Sequence, residues 1–174
     1  MVFIDGSNLY HILKGIYGHS KNLNEFKFDE FSKIICKKRK LIRVYYYNAI
    51  LDQKKDPEKY KKQQQFFEKL KTIQDFEVVL CRMQRDIVDG ELRYSVKEDD
   101  IHIAVDMLKL AYANAYDTAI LVSTDGDFVP VVEAVKETGK RIENIGFKSV
   151  FSWHLKRTCD RFFILKKEDL NKCF

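Results

Sequence analysis

Short unbroken apolar runs alternate with amphipathic stretches along the chain. The runs at 2–4 ("VFI"), 41–51 ("LIRVYYYNAIL"), 76–81 ("FEVVLC"), 118–123 ("TAILVS"), 141–147 ("RIENIGF") and 161–165 ("RFFIL") are rich in β-branched and aromatic residues, as buried strands are. Between them, residues 8–14, 28–38 (with Asp29 near the start), 99–115, 128–139 (ending on Gly139) and 149–159 carry a helical repeat. The clearest helix is "DPEKYKKQQQFFEKLK", where Asp56 is placed to cap and Pro57 to occupy the first helical position. Residues 82–98 are polar and irregular, and Asp89-Gly90 predicts the tip of a hairpin. A strand opening at residue 2 leads us to expect a natural chain that begins a few residues earlier. Strands without polar alternation, each followed by a helix, predict an α/β three-layer sandwich: a mainly parallel central sheet of Rossmann-like type, with helices on both faces.

Composition narrows the picture. With 174 residues, 45% of them hydrophobic and 13% aromatic, residues 1–174 are expected to form one domain around a sizeable core. Seven glycines and two prolines leave little for a flexible linker, and there is no internal repeat or low-complexity tract. No run of about 18 apolar residues and no charged-then-apolar leader occurs, so the expectation is a cytoplasmic protein without a membrane partner. Cys36, Cys81, Cys159 and Cys173 are scattered, as are His11, His19, His102 and His154, which argues against zinc and against a disulfide framework. Lysine and arginine number 31 against 26 acids, a modest excess that favours polyanions.

In sheets of this kind the ligand lies beyond the carboxyl ends of the strands, where strand order reverses. The residues there are acidic: Asp5 follows the first strand, Asp125 and Asp127 follow the strand ending at Ser123, and Asp99 and Asp100 open the helix that leads into it. If the first strand and the 118–123 strand are neighbours, Asp5 and Asp125 face each other across about 4.8 Å. Carboxylates that close need a proton or a cation between them, and an all-oxygen cluster suits magnesium or manganese. Such an ion orients a phosphodiester and activates a water.

Each acid also has a plainer reading. Taken singly, Asp127 and Asp99 are better explained as helix caps, and Asn8 and Ser7 as turn residues that satisfy backbone groups. Asp106 lies seven positions after Asp99 and on the same helix face, so it either pairs with a cation or supports the site from behind. Three segments delivering acids to one end of one sheet are harder to explain by capping. Other chemistries drop out: there is no GxxxxGKS or GxGxxG loop, no second aspartate two positions after Asp5 for an aspartyl phosphatase, no calcium-loop length in "TDGDF" and no nucleophile elbow. His102 and His154 are available as bases, but a lone histidine on a helix is more often a satisfied residue.

"VFIDGSNLY", "KEDDIHIAVDML" and "YDTAILVSTDGDFVPVVEAVKETGK" together resemble the NYN domain in its LabA-like branch, within the PIN-like nuclease superfamily. The likeness runs in order over nearly the whole chain, and the third segment is its most specific part. It implies a parallel α/β sheet and a metal-dependent ribonuclease, with Asp5, Asp100, Asp125 and Asp127 as the catalytic acids that hold Mg2+ or Mn2+, and with Asn8 and Ser123 matching the family's asparagine and serine beside them. Two departures stand out. Lys97-Glu98-Asp99-Asp100 replaces the usual Lys-Gly-Val-Asp, and Thr124 replaces the first glycine of Ser-Gly-Asp-Gly-Asp, stiffening the turn while keeping both acids.

For the polyanion, the basic run Lys37–Lys40, the lysines Lys54, Lys55, Lys61 and Lys62, and Arg82, Arg85 and Arg93 are candidates, with Tyr45, Tyr46, Tyr47 and Trp153 for stacking. The tyrosines read better as core and the helix lysines as a solvated face. Arg82 and Arg85 are preferred because they follow a strand and share the rim with the acids. The leading expectation is therefore a hydrolytic ribonuclease acting on single-stranded or structured RNA. A non-catalytic RNA- or protein-binding module of the same fold is the alternative, a phosphate-ester enzyme acting on a small nucleotide is a weaker third, and a homo-oligomer is left open.

Overall fold

The computed structural model describes residues 1–88, 91–96 and 98–174; the side chains of 83–97 lie outside that description. In chain order the strands are β1 (Val2–Asp5), β2 (Val44–Ala49), β3 (Phe76–Cys81), β4 (Met83–Val88), β5 (Glu91–Val96), β6 (Thr118–Val122), β7 (Arg141–Phe147) and β8 (Arg161–Leu165). The helices are α1 (Gly6–Tyr17), α2 (Phe28–Cys36), α3 (Pro57–Lys71), α4 (Asp99–Tyr112), α5 (Val129–Glu137), α6 (Trp153–Thr158) and α7 (Lys167–Asn171). Six strands form one sheet in the order β3-β2-β1-β6-β7-β8, with every neighbouring pair parallel. The intervening helices bring the chain back to the starting edge, which is what parallel pairing requires.

Alternation along each strand divides the core in two. Val2, Ile4, Val44, Tyr46, Ile120, Val122, Ile145 and Phe147 pack with residues of α1, α2, α3 and α7 on one face. Phe3, Tyr45, Tyr47, Ala119, Leu121 and Ile142 pack with residues of α4, α5 and α6 on the other. Tyr45, Tyr46 and Tyr47 are all buried, so they are core residues and not stacking surfaces. Asp5 continues the Phe3 side and so points toward the α4 and α5 layer.

Several expected boundaries shift for local reasons. The helix expected over 8–14 runs from Gly6, because Asp5 caps it by accepting the Asn8 N–H, and ends at Tyr17 before Gly18 at φ +55°. Asp56 does cap α3, accepting from the Lys59 N–H. Within 82–98, expected to be irregular but to hold a hairpin, β4 and β5 form a regular antiparallel pair, as a hairpin requires; the expected tip, Asp89-Gly90, lies outside the described residues. The helix expected from 149 begins only at Trp153, since Phe147 and Val150 bridge to each other and Ser152 supplies the cap. The five-residue α7 was not anticipated: it is too short for a periodic signal, and the Asp169 carboxylate accepting the Lys166 N–H fixes its start.

From β1 the chain proceeds outward to β2 and β3, and from β6 it proceeds the other way to β7 and β8. Strand order therefore reverses between β1 and β6, and the crevice beyond their carboxyl ends is the place where such sheets bind ligands. One expected group of cations is not at this rim. Lys37–Lys40 precede β2 and lie at the opposite end, where Arg39 pairs with the buried Glu143 at 2.8 Å.

Candidate functional site

β1 ends on Asp5, and the chain turns at once into α1. Gly6 permits this turn: a Cβ there would lie 2.4 Å from the Tyr46 ring and 2.5 Å from the Tyr47 carbonyl oxygen. The Asp5 carboxylate is buried and held at both oxygens. Its Oδ1 accepts the Asn8 N–H (2.9 Å), and its Oδ2 accepts the Ser123 hydroxyl (3.1 Å). Ser123 itself is the residue level with Asp5 across the β1–β6 pair, one step beyond the Ile4–Val122 register. The expected face-to-face pairing of Asp5 with Asp125 is thus replaced by a relay, because Asp125 lies two residues further on.

That relay continues through the acidic turn. The Ser123 Oγ accepts the Asp125 N–H (3.1 Å), and the Asp125 Oδ1 accepts the Asp127 N–H (2.9 Å), capping the 3-10 turn Gly126–Phe128. Capping therefore falls on Asp125, whereas α5 starts at Val129 without a side-chain cap, so Asp127 does not serve as one. The Asn8 Oδ1 accepts both the Thr124 N–H (3.1 Å) and the Thr124 hydroxyl (3.2 Å). Asn8 thereby ties the turn after β1 to the turn after β6, and Thr124 uses the hydroxyl that a glycine lacks to strengthen that tie.

α4 delivers the third group of acids. Its first residue, Asp99, is buried, and its Oδ1 accepts the Asp100 N–H (3.2 Å). Glu98, not Asp99, occupies the cap position, so Asp99 is not the cap that a single-residue reading suggests. The Asp5 carboxyl is pushed up to about 7, first by burial and then, against the Asn8 hydrogen bond, by the charges of Asp99 and Asp100. Asp100 is pushed up to about 6, by burial and then by Asp99, Asp125 and Asp127. Asp99 is raised as well, chiefly by burial. The acids from β1, α4 and the turn after β6 thus share one electrostatic environment, as expected from their place after the strands.

Asp106 plays a different part. It accepts the hydroxyl of the buried Tyr47 at 3.0 Å, which anchors α4 to β2 behind the rim. Arg82 is exposed, immediately follows β3 and donates its N–H to the Glu98 Oε2 at 3.2 Å. It stands at the acid rim, on the β3 side. The Arg85 and Arg93 side chains lie outside the described residues.

One contributor was missed by the sequence reading, and one was weighed only as a base. Buried Asn144, in β7, donates from Nδ2 to the Leu121 carbonyl (3.1 Å) and the Ser123 carbonyl (2.9 Å), holding the end of β6 that launches the acidic turn. Its signal was a polar pair, Glu143-Asn144, inside an otherwise apolar strand. His154, at the start of α6, packs on the turn itself: a Cβ on Gly126 would lie 3.7 Å from its Cδ2.

The acids converge on one rim without closing into a cage. Among the described residues, no group of three or more His, Cys, Asp or Glu side chains is placed to hold a metal ion. What fits a hard divalent ion is the chemistry of the donors. They are all carboxylates, the charges of their neighbours raise Asp5 and Asp100, and none takes part in the ion pairs among the described residues.

The family model of the NYN domain matches residues 1–166. A protein of unknown function from Vibrio parahaemolyticus has a similar solved structure, with a TM-score of 0.71 and 26% identity, covering 96% of this chain and 92% of that one. An uncharacterised protein of Methanocaldococcus jannaschii is 33% identical over 88 residues, which are 47% of this chain and 37% of the relative's length.

Proposed function

The chain belongs to the NYN-domain family, and on that premise we propose that it is a metal-dependent ribonuclease of the LabA-like branch that hydrolyses RNA phosphodiester bonds at the β1–β6 rim. The observation that carries the reading is the convergence of acids from β1, α4 and the turn after β6 on one rim, where Asp99 and Asp100 raise Asp5, and Asp99, Asp125 and Asp127 raise Asp100. Asp5 and Asp100 are raised by burial and by carboxylates from other segments, an arrangement that costs stability unless a cation or protons offset it.

In this reading Asp5, Asp100, Asp125 and Asp127 would hold Mg2+ or Mn2+, with Asp99 adding charge behind them, and the bound ion would supply orientation of the phosphodiester, offset of charge on its oxygens and activation of a water. The chain's own residues set the stage. Asn8 and Ser123 each hold one oxygen of Asp5, so this carboxylate presents a fixed edge to the crevice. Ser123 and Asp125 fix the turn that carries Asp127 outward, and Asn144 holds the strand end beneath it. Tyr47 and Asp106 lock α4, whose first turn brings Asp100 to the site. Arg82, with Arg85 as a further candidate, supplies positive charge for the RNA backbone.

The test is cleavage of unstructured RNA by purified protein with magnesium or manganese. Cleavage should stop on chelation and fall by orders of magnitude in Asp5→Asn and Asp127→Asn, while RNA affinity measured in chelator holds or rises slightly. Cleavage that persists in chelator, or aspartate variants that turn over RNA as the parent does, would sink the reading. The second outcome would favour the non-catalytic binding module.

A further inference from the structure

We propose that Trp153, with Lys156 and the aromatic pair beneath it, forms a stacking platform that receives a base of single-stranded RNA a few nucleotides from the acid rim. This rests on the ribonuclease reading and adds to it a side of exit and a mode of recognition.

The platform is built into the sheet. Gly146 of β7 stands one step beyond the Val122–Ile145 register, in the same row as Ser123 and Asp5. A Cβ on Gly146 would lie 2.6 Å from the Phe162 ring and 2.8 Å from the Phe151 Cβ, so the glycine lets both aromatics settle against the strand. Phe151 packs on Phe162 with ring centroids 5.6 Å apart, and Trp153 packs on Phe151 at 5.1 Å and 60°. Trp153 is nonetheless 60% exposed. A tryptophan packed on Phe151 and still this exposed is costly to leave in water, and its free surface suits a base. The Lys156 Nζ lies over the Trp153 ring, 4.6 Å from its centroid, so a cation shares one face of the ring and is at hand for the adjoining phosphate, while the remaining exposed surface is left to the base.

Position argues for RNA and not for an unrelated partner. Two strand spacings, about 10 Å, separate the Asp5 row position on β1 from that of Gly146 on β7. α6 also packs directly on the acidic turn: a Cβ on Gly126 would lie 3.5 Å from the Ser152 Oγ and 3.7 Å from the His154 Cδ2. Arg82 lies on the opposite side of the acids, beyond β2. A strand crossing the rim would therefore meet a cation at one end, the carboxylates in the middle and an aromatic at the other.

The chain has one tryptophan, so its fluorescence reports this position alone. Titration of the protein, in chelator, with a short single-stranded oligouridylate should quench Trp153 emission with the midpoint found by anisotropy of labelled RNA. An oligomer of equal length made of abasic sites should bind more weakly without quenching. Trp153→Ala should weaken binding about 5- to 100-fold, the range expected for loss of one stacked base, while Trp153→Phe retains most of the affinity. Lys156→Ala should reduce the salt slope by about one counterion. Binding by anisotropy with unchanged emission, together with parent-like affinity in Trp153→Ala, would overturn the platform. Metal-dependent cleavage by the same preparation would then leave the ribonuclease reading standing. Absence of both binding and cleavage would overturn the two together.

Discussion

Asp5 combines two roles that sequence reading treats as rivals. It caps α1 through the Asn8 N–H, and its other oxygen is held by Ser123 beside the remaining acids. Burial and the neighbouring Asp99 and Asp100 raise its carboxyl to about 7, and Asp100 rises to about 6, from an ordinary value of 3.8 for each. The sign of the consequence follows from proton linkage. Between roughly pH 4 and 7 the folded protein keeps protons that the unfolded chain has shed, so the stability these groups contribute is complete below 3.8 and is lost as pH climbs through 6 and 7. In chelator, the melting temperature should therefore fall between pH 5 and pH 8, and Asp5→Asn should flatten that fall. An unchanged slope in the variant would show that Asp5 is not the raised group. Any metal bound here competes with those protons, so its effect on melting should grow over the same interval.

At the level of elements, the site depends on how tightly β1 turns into α1. The atoms closest to a Cβ on Gly6 include the Tyr47 carbonyl, which belongs to a central strand and is not free to swing aside. Gly6→Ala should cost about 1–3 kcal/mol through overpacking and displace Asn8 from Thr124. A thermal melt within a degree of the parent would contradict this. β6 is controlled from the side in a similar way, since Asn144 holds the Leu121 and Ser123 carbonyls from β7. α4 is positioned by the Tyr47 hydroxyl on Asp106, and burial together with that acid raises the Tyr47 phenol far above its usual range. Of the two roles open to Asp106 in the sequence, support from behind matches this contact. Its donor is a tyrosine two strands from the acidic turn, which no helical periodicity reveals.

For the whole molecule, the acid rim sits where strand order reverses, flanked by Arg82 beyond β2 and by the Trp153 platform beyond β6. Binding of manganese to the folded form alone should raise stability by RT ln(1 + [L]/Kd), about 2.7 kcal/mol at a hundredfold excess over Kd, or roughly 5–10 °C for a chain of this size. Asp125→Asn keeps an oxygen to cap the 3-10 turn, so it should fold and yet show a blunted response; an unaltered response would remove Asp125 from the ligand set. The parallel sheet, its two helical layers, the capped α3 and the arrival of acids at one rim were all legible in the sequence, because unbroken apolar runs and helical repeats report burial directly and residues after parallel strands share an end. The register was not legible. It puts Ser123 rather than Asp125 beside Asp5 and gives the capping role to Asp125 rather than Asp127, and both depend on how the turn after β6 closes. The basic run at Lys37–Lys40 has the charge to suit RNA but precedes β2, and so lies at the end of the parallel sheet opposite the acids, a consequence of chain order that charge alone does not weigh. Local patterning determines which elements form and which faces they bury. Only the packed sheet decides which side chains from distant segments meet, since those distances are set by strand order and register and not by separation along the chain.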